Sequence, residues 1–152
     1  MRINHFVSPT LAALALTFAA TGCSETVSPD DAKQSVEHAV AAVKLAEEAV
    51  PGTAFELDEE GKNGWDVDVV GEDDEVSELR VNAEGTKVSE TRADGRIDIE
   101  DRRRLDQASV SMSDAIETAS EEALGLVMSA ELDRFRVDTL VWEIEFTDGE
   151  ED

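Results

Sequence analysis

The chain has 152 residues, enough for one ordinary domain or two small ones. It carries 37 acidic residues against 13 lysines and arginines, a formal charge of -24 at pH 7. Because nucleic acids and anionic lipid headgroups are bound through basic side chains, this charge argues against both as partners. Hydrophobic residues make up 41% of the chain, so a packed core is expected rather than wholesale disorder.

The first 22 residues have the layout of a secretory signal peptide. Arg2 supplies a positive start, residues 11–20 form an apolar run, and small residues follow. The run is shorter than the roughly 20 residues that a membrane-spanning helix needs. It ends in Ala20-Thr21-Gly22-Cys23, which resembles the lipobox of bacterial lipoproteins.

In the lipoproteins, a cysteine at this place receives a diacylglyceryl group and the chain is cut just before it. The resemblance therefore implies cleavage between Gly22 and Cys23, lipid attachment at Cys23, and a protein anchored on the extracytoplasmic face of the cell membrane. Residues 23–29 would form a tether. Cys23 is the only cysteine, so no intramolecular disulfide can form. The alternative is an ordinary cleaved signal peptide with a cysteine that carries no lipid.

A helix is predicted to begin after Ser28. Ser28 is suited to the N-cap, Pro29 to the first helical position, and two aspartates to the positive end of the helix dipole. Pro51-Gly52 ends the helix. Its buried stripe follows helical spacing: Val36, Val40, Val43, Ala46 and Val50.

From residue 54 the apolar period changes to two, which predicts an antiparallel meander of short strands. The predicted strands are "AFELD" (54–58), "WDVDVV" (65–70), "EVSELRVN" (75–82) and "KVSE" (87–90). In the second of them, Trp65, Val67 and Val69 share one face, and Asp66 and Asp68 are expected to face water.

The same landmarks return later in the chain. Ser111 and Asp114 repeat the helix start of Ser28 and Asp31, "AELD" at 130–133 echoes "FELD" at 55–58, and "WEIEF" at 142–146 echoes "WDVDV" at 65–69. The second helix is expected to bury Ala115, Ala119, Ala123 and Leu126. Landmarks repeated in one order predict two copies of one unit.

The first unit resembles the PepSY domain, a family found in propeptides of secreted metallopeptidases and in cell-envelope proteins. The resemblance rests on a helix ending in Ala-x-x-Ala-x-Pro-Gly, a strand led by Trp65, and the closing "VNAEGTKV" at 81–88, where Gly85-Thr86 reverse the usual Thr-Gly order. It covers residues 30–90, and its first part recurs in 111–148. The resemblance implies an α+β fold of two PepSY-like units, the second truncated, each a helix packed on a small antiparallel β-meander. Residues 91–110 would be a linker and 149–152 an acidic tail.

No catalytic residues, cofactor or metal site are predicted, because the chain offers neither a nucleophile paired with a base nor a phosphate-binding loop. Residues 90–101 resemble a degraded EF-hand calcium loop, although Arg92 occupies a position where a ligand oxygen is expected. An acidic linker is the favoured interpretation. The arginines at 102–104 are expected to pair with nearby acids or to cap a short helical turn.

The last predicted strand, 140–147, is a candidate partner-binding edge carrying Val141, Trp142, Ile144 and Phe146. The first unit, or a second copy in a homodimer, could instead cover it. The PepSY resemblance implies a non-catalytic interaction module that binds, inhibits or regulates a secreted or envelope peptidase. The alternatives are an acidic envelope protein that binds calcium or other cations, through 71–75 and 90–101, and a purely structural surface lipoprotein.

Overall fold

A computed structural model of the chain describes residues 2–7, 27–136 and 139–148. These residues form three α-helices and one seven-stranded antiparallel sheet. In chain order the elements are β1 (Arg2–Val7), α1 (Pro29–Ala49), β2 (Gly52–Glu59), β3 (Trp65–Gly71), β4 (Glu75–Val81), β5 (Val88–Arg96), α2 (Ile99–Gln107), α3 (Met112–Ser120), β6 (Leu126–Arg136) and β7 (Thr139–Thr147). The predicted α+β class, with helices packed on an antiparallel sheet, is confirmed.

The helices α1 and α3 begin in the same way. The hydroxyl of Ser28 accepts a hydrogen bond from the N–H of Asp31 at 3.1 Å, and that of Ser111 accepts one from Asp114 at 3.2 Å. Each hydroxyl also donates to the carboxylate of that aspartate, at 2.7 and 2.8 Å. Both caps satisfy a backbone N–H that has no partner inside the helix. The helix starts that define the sequence repeat are therefore repeated in the structure.

The two predicted units share a single sheet, whose strand order is β1-β7-β6-β2-β3-β4-β5. The join is made by β2 and β6, where Leu57 lies opposite Ala130. Helix α1 packs across this join, and the N–H of Val127 donates to the hydroxyl of Ser35 at 2.9 Å. The units therefore bury one common core between the sheet and the pair α1 and α3.

The two tryptophans occupy equivalent places in that core. Trp65 and Trp142 are only 4% and 3% exposed. The indole N–H of Trp65 donates to the carbonyl of Ala83 at 3.0 Å, and that of Trp142 to the carbonyl of Val110 at 2.9 Å. Each ring packs in the core with its polar atom satisfied, which is the usual requirement for a buried indole.

The structure differs from the sequence predictions between the two units. In place of a linker over 91–110, residues 88–96 form β5 and residues 99–107 form α2. Leu105 of α2 packs against Val70 and Val76, on the sheet face opposite α1. A single apolar anchor is too faint a signal in a segment dominated by charges, which is why the pattern does not reveal the helix.

Helix α3 is shorter than predicted. It ends at Ser120, so Leu126 lies in β6 rather than on the helix. Glu121 and Glu122 follow immediately, and negative side chains are unfavourable at the negative end of a helix dipole. At Gly125 an added Cβ would lie 2.7 Å from the carbonyl oxygen of Thr147. The connection between α3 and β6 therefore passes close to the backbone of β7.

Candidate interaction face

The sheet has two different faces because its strands alternate apolar and acidic residues. Helices α1 and α3 cover the apolar face, where Leu57, Val67 and Leu79 are fully buried. The carboxylates alternate to the opposite face, whose end near Val70 and Val76 is covered by α2. We call the remainder of that surface the acidic face. It comprises Glu56, Asp58, Asp66, Asp68, Glu78, Glu131, Glu143 and Glu145.

The strand register aligns five of these carboxylates in one row across five strands. Each is directly opposite the next in the antiparallel pairing: Glu143, Glu131, Glu56, Asp68 and Glu78 on β7, β6, β2, β3 and β4. Neighbouring strands lie about 4.7–4.9 Å apart, which keeps the side chains within interaction range. Like charges directly opposite each other destabilise a sheet. The row ends at Arg92 of β5, which pairs with Glu78.

A second, mixed row lies beside the first. Asp58 is opposite Asp66, and Asp66 is opposite Arg80. The guanidinium of Arg80 donates two hydrogen bonds to the Asp66 carboxylate, at 2.8 and 2.6 Å. Such a two-point pair is the strong form of the interaction and raises the pKa of Arg80. The arginines on β4 and β5 thus neutralise one end of the acidic face.

The centre of the face has perturbed acidities. Half-buried Asp68 has its pKa raised to about 7, first by desolvation and then by the neighbouring carboxylates, led by Glu56. The same two causes raise the pKa of Glu56, Asp58 and Glu131. The alternation of β3 predicts only that Asp68 faces water. The sequence contains a further signal, which is the coincidence of acidic alternation in four strands, but the strand register is needed to bring these acids together.

The predicted edge residues are buried. Val141, Trp142, Ile144 and Phe146 are at most 3% exposed, so their side chains are not available to a partner. In addition, β1 pairs with β7 in the full chain. The side chains of Trp142, Ile144 and Phe146 lie in the core, and β7 contacts α3. The use of strand 140–147 as a partner-binding edge stays a prediction. The predicted lipidation site, Gly22 and Cys23, lies outside the described residues.

The two acidic segments proposed for calcium lie in defined elements of the fold. Residues 90–101, predicted as a possible EF-hand loop, belong to β5, the connection after it and the start of α2. Asp98 caps that helix by accepting from the N–H groups of Glu100 and Asp101, at 2.7 and 2.9 Å. In the 71–75 turn, Asp74 lies 3.6 Å from Arg102 and 3.8 Å from Arg96. Within the described part of the chain, no three His, Cys, Asp or Glu residues are arranged to hold a metal ion.

A groove of about 560 Å³ lies on the helical side of the molecule. Val36 and Val40 of α1 form one wall, and Ala123 and Leu124 form the other. Leu124 is 58% exposed there. The groove is separate from the acidic face, and its lining also includes the polar residues Lys33, Glu37, Lys44, Glu117 and Ser120.

Comparisons with known proteins add little to this geometry. No protein-family model matches the chain, and no curated protein matches it. A crystal structure of a candidate lipoprotein from Clostridium difficile 630 aligns over 72% of this chain and 77% of its own, with 21% identity and a TM-score of 0.42. That likeness is too slight to carry fold or function across. Among the helices of the described residues, none has the length and apolar character needed to cross a bilayer.

Proposed function

We propose that this protein is a lipid-anchored envelope protein without catalytic activity that binds a cationic partner protein through its acidic face. The observation that supports the proposal is the row of five carboxylates from Glu143 to Glu78. Placing Glu56 opposite Asp68 costs the fold stability, and amides or hydroxyls at these positions would not. Groups that destabilise the free protein are characteristic of a surface whose charge is compensated on binding.

A protein surface suits this face better than a single metal ion. The carboxylates are spread along a row several strands wide, whereas a cation requires several oxygens converging on one point. Lysines and arginines of a partner could match that row, and charge complementarity of this kind speeds association and selects among partners. Arg92 and Arg80, at the β4–β5 end, set the limit of the matching surface.

Anchoring at Cys23 would place the start of α1 close to the membrane. Residues 24–28 separate the cysteine from the start of α1, and five extended residues reach at most about 17 Å. A diacyl group supplies firm attachment, since each buried methylene contributes about 0.8 kcal/mol. Replacement of Cys23 by serine should abolish the incorporation of labelled palmitate into the protein. Equal labelling of Cys23→Ser and wild type would contradict lipid attachment at Cys23.

A secreted or envelope peptidase is the partner class that we propose, from the resemblance of residues 30–90 to PepSY. Since no family model matches, the motifs alone support this choice. The test uses leaderless protein, starting at Ser24, as bait for peptidases from envelope and secreted fractions. A captured peptidase is purified, and its rate is measured at rising bait concentration. A fall in rate supports inhibition, and an unchanged rate with every captured peptidase contradicts it.

The contribution of the acidic face is tested separately with charge-matched variants. Glu56→Gln, Asp68→Asn and Glu131→Gln together remove three charges from the row. The control removes three charges from the helical side: Glu48→Gln, Glu121→Gln and Glu122→Gln. The proposal expects the first variant to bind the partner at least about tenfold more weakly at low salt, with the control near wild type. Equal affinities for the two variants would contradict the proposed role of the face.

A further inference from the structure

The outermost strand of the full-length sheet comes from the predicted signal peptide. Residues Arg2–Val7 form β1, which pairs antiparallel with β7. The register runs over six pairs, from Arg2 opposite Thr147 to Val7 opposite Trp142. The edge of β7 is therefore able to take an added strand of at least six residues. No loop or bulge interrupts the register of this pairing.

Cleavage before Cys23, as in the proposed function on which this inference rests, would remove β1 and vacate the edge. We propose that β7 of the processed protein accepts an extended segment of a partner protein in the place of β1. Main-chain hydrogen bonds would supply the affinity, as they do wherever a peptide extends an existing sheet. This role uses the backbone of β7 at the edge predicted from the sequence, while the side chains of Trp142, Ile144 and Phe146 stay in the core.

The register also indicates what kind of segment fits. Phe6 lies opposite Glu143 and Asn4 opposite Glu145, so neither glutamate of β7 has an acid as its direct neighbour on β1. None of the six residues of β1 is acidic, in a chain with 37 acidic residues. An acid at either position would add a like-charge pair to the end of the carboxylate row. The partner segment is therefore neutral or basic at its outward positions.

A second copy of this chain is a poorer occupant. Directly opposite residues of two paired strands point to the same face of the sheet. Two β7 strands that keep their core faces on one side can therefore pair only with odd-numbered residues opposite odd-numbered ones, and even opposite even. Full antiparallel overlap then places Glu143 opposite Glu143 of the second copy, and an overlap centred on Ile144 places Glu143 opposite Glu145. Both registers add like-charge pairs to a surface that already carries a row of them. A cationic segment relieves that repulsion, which is the reason for choosing a different protein as the partner.

The processed protein should fold without β1. The main core, from Ala39 to Phe146, is assembled by α1, α3 and strands that all follow residue 28. In addition, β7 remains paired with β6 along its whole length. The leaderless chain from Ser24 can therefore serve as the receptor. If it does not fold, the full-length chain with Ile3→Pro, Asn4→Pro and Cys23→Ala serves instead, because adjacent prolines disrupt strand pairing.

The probe is a capped synthetic peptide with the sequence of residues 2–7. Its binding is measured through changes in the amide chemical shifts and the hydrogen exchange of residues 142–147 of the receptor. We expect saturable binding and slowed exchange at β7. A peptide with Asn4→Glu and Phe6→Glu should bind about tenfold more weakly. Two further peptides are N-methylated at residues 2, 4 and 6 or at 3, 5 and 7. Because alternate N–H groups point toward the receptor strand, one series should lose binding and the other should keep it.

Several results would overturn the proposal. The first is that the peptide does not bind a folded receptor. The second is that the two N-methylated series lose affinity equally. The third is that the leaderless chain forms a dimer in which the β7 amides are already protected from hydrogen exchange before peptide is added. Unprocessed full-length chain with Cys23→Ala should bind the peptide more weakly than the leaderless chain, because β1 competes. The proposed function fails independently, through palmitate labelling of Cys23→Ser and partner binding by the acidic-face variants, so a negative peptide result and a negative anchoring result are distinguishable.

Discussion

Glu56 on β2 lies directly opposite Asp68 on β3, in the middle of the row of carboxylates. Desolvation and the surrounding negative charges raise the pKa of Asp68 from its ordinary 3.8 to about 7. The pKa of Glu56 is raised as well, by burial and by Asp58, Asp101 and Asp94. The folded state therefore holds protons that the unfolded chain would release, and this proton uptake links stability to pH.

The first prediction concerns that linkage. A raised carboxyl pKa means that the folded state binds more protons between pH 4 and 7, so the free energy of unfolding falls as the pH rises through that range. We expect a higher melting temperature at pH 5.5 than at pH 8. Asp68 alone should account for on the order of 1–2 kcal/mol, since solvent screening reduces the effect at a half-buried site. Calorimetry at matched ionic strength measures this difference, and a flat or rising profile would contradict it.

The second prediction assigns the effect to a residue. Asp68→Asn keeps the size of the side chain and removes the charge, so it should stabilise the protein at pH 8 and flatten the dependence on pH. Glu48→Gln, on the exposed side of α1, makes the same change in net charge without altering the row. Urea denaturation of the two variants separates a local effect from a general lowering of negative charge. Equal stabilisation by both would attribute the effect to net charge alone.

The third prediction tests the equivalence of the tryptophans. The variants Trp65→Phe and Trp142→Phe keep an aromatic ring but leave the carbonyl of Ala83 or Val110 without its indole donor. Each substitution should lower the free energy of unfolding by about 1–3 kcal/mol, from the lost hydrogen bond and the smaller ring. Because one core joins both units, each variant should still unfold in a single transition. Two separate transitions would contradict the single core.

Sequence patterns are sufficient wherever one residue or one strand determines the outcome. The caps at Ser28 and Ser111 and the alternation after Trp65 and Trp142 are local, and both appear in the structure as predicted. The joining of β2 to β6 is a pairing between distant segments, and alternation alone does not specify which strands become neighbours. The carboxylate row depends on that pairing. For the same reason, the raised pKa of Asp68 cannot be predicted from sequence patterns.

The fourth prediction concerns Gly85, in the turn between β4 and β5. Gly85 has φ of +68°, and an added Cβ would lie 2.5 Å from the carbonyl oxygen of His38 on α1. Gly95 also has a positive φ, +89°, but a Cβ added there would meet nothing within 4 Å. Gly95→Ala should cost about 1 kcal/mol from backbone strain alone. Gly85→Ala should cost several times more because the turn would be pushed away from α1, and equal costs would contradict that packing.

The fifth prediction distinguishes a helix cap from a calcium ligand at Asp98. As the N-cap of α2, Asp98 accepts two backbone hydrogen bonds, which lower its pKa. Asp98→Ala should therefore lower the melting temperature, equally in millimolar calcium and in chelator, because the helix loses its N-cap. Asp94→Asn, which alters the fifth position of the supposed loop, should be neutral or slightly stabilising, because Asp94 helps to raise the pKa of Asp68.

Melting temperatures of wild type, Asp98→Ala and Asp94→Asn in calcium, and in sodium at matched ionic strength, decide between the two roles. A ligand loop requires a calcium-specific increase for wild type that both variants lose, since Asp94 and Asp98 would each supply an oxygen. A helix cap requires no such increase, with only Asp98→Ala destabilised in every buffer. We expect the second result, because Asp98 already directs its carboxylate at the N–H groups of Glu100 and Asp101.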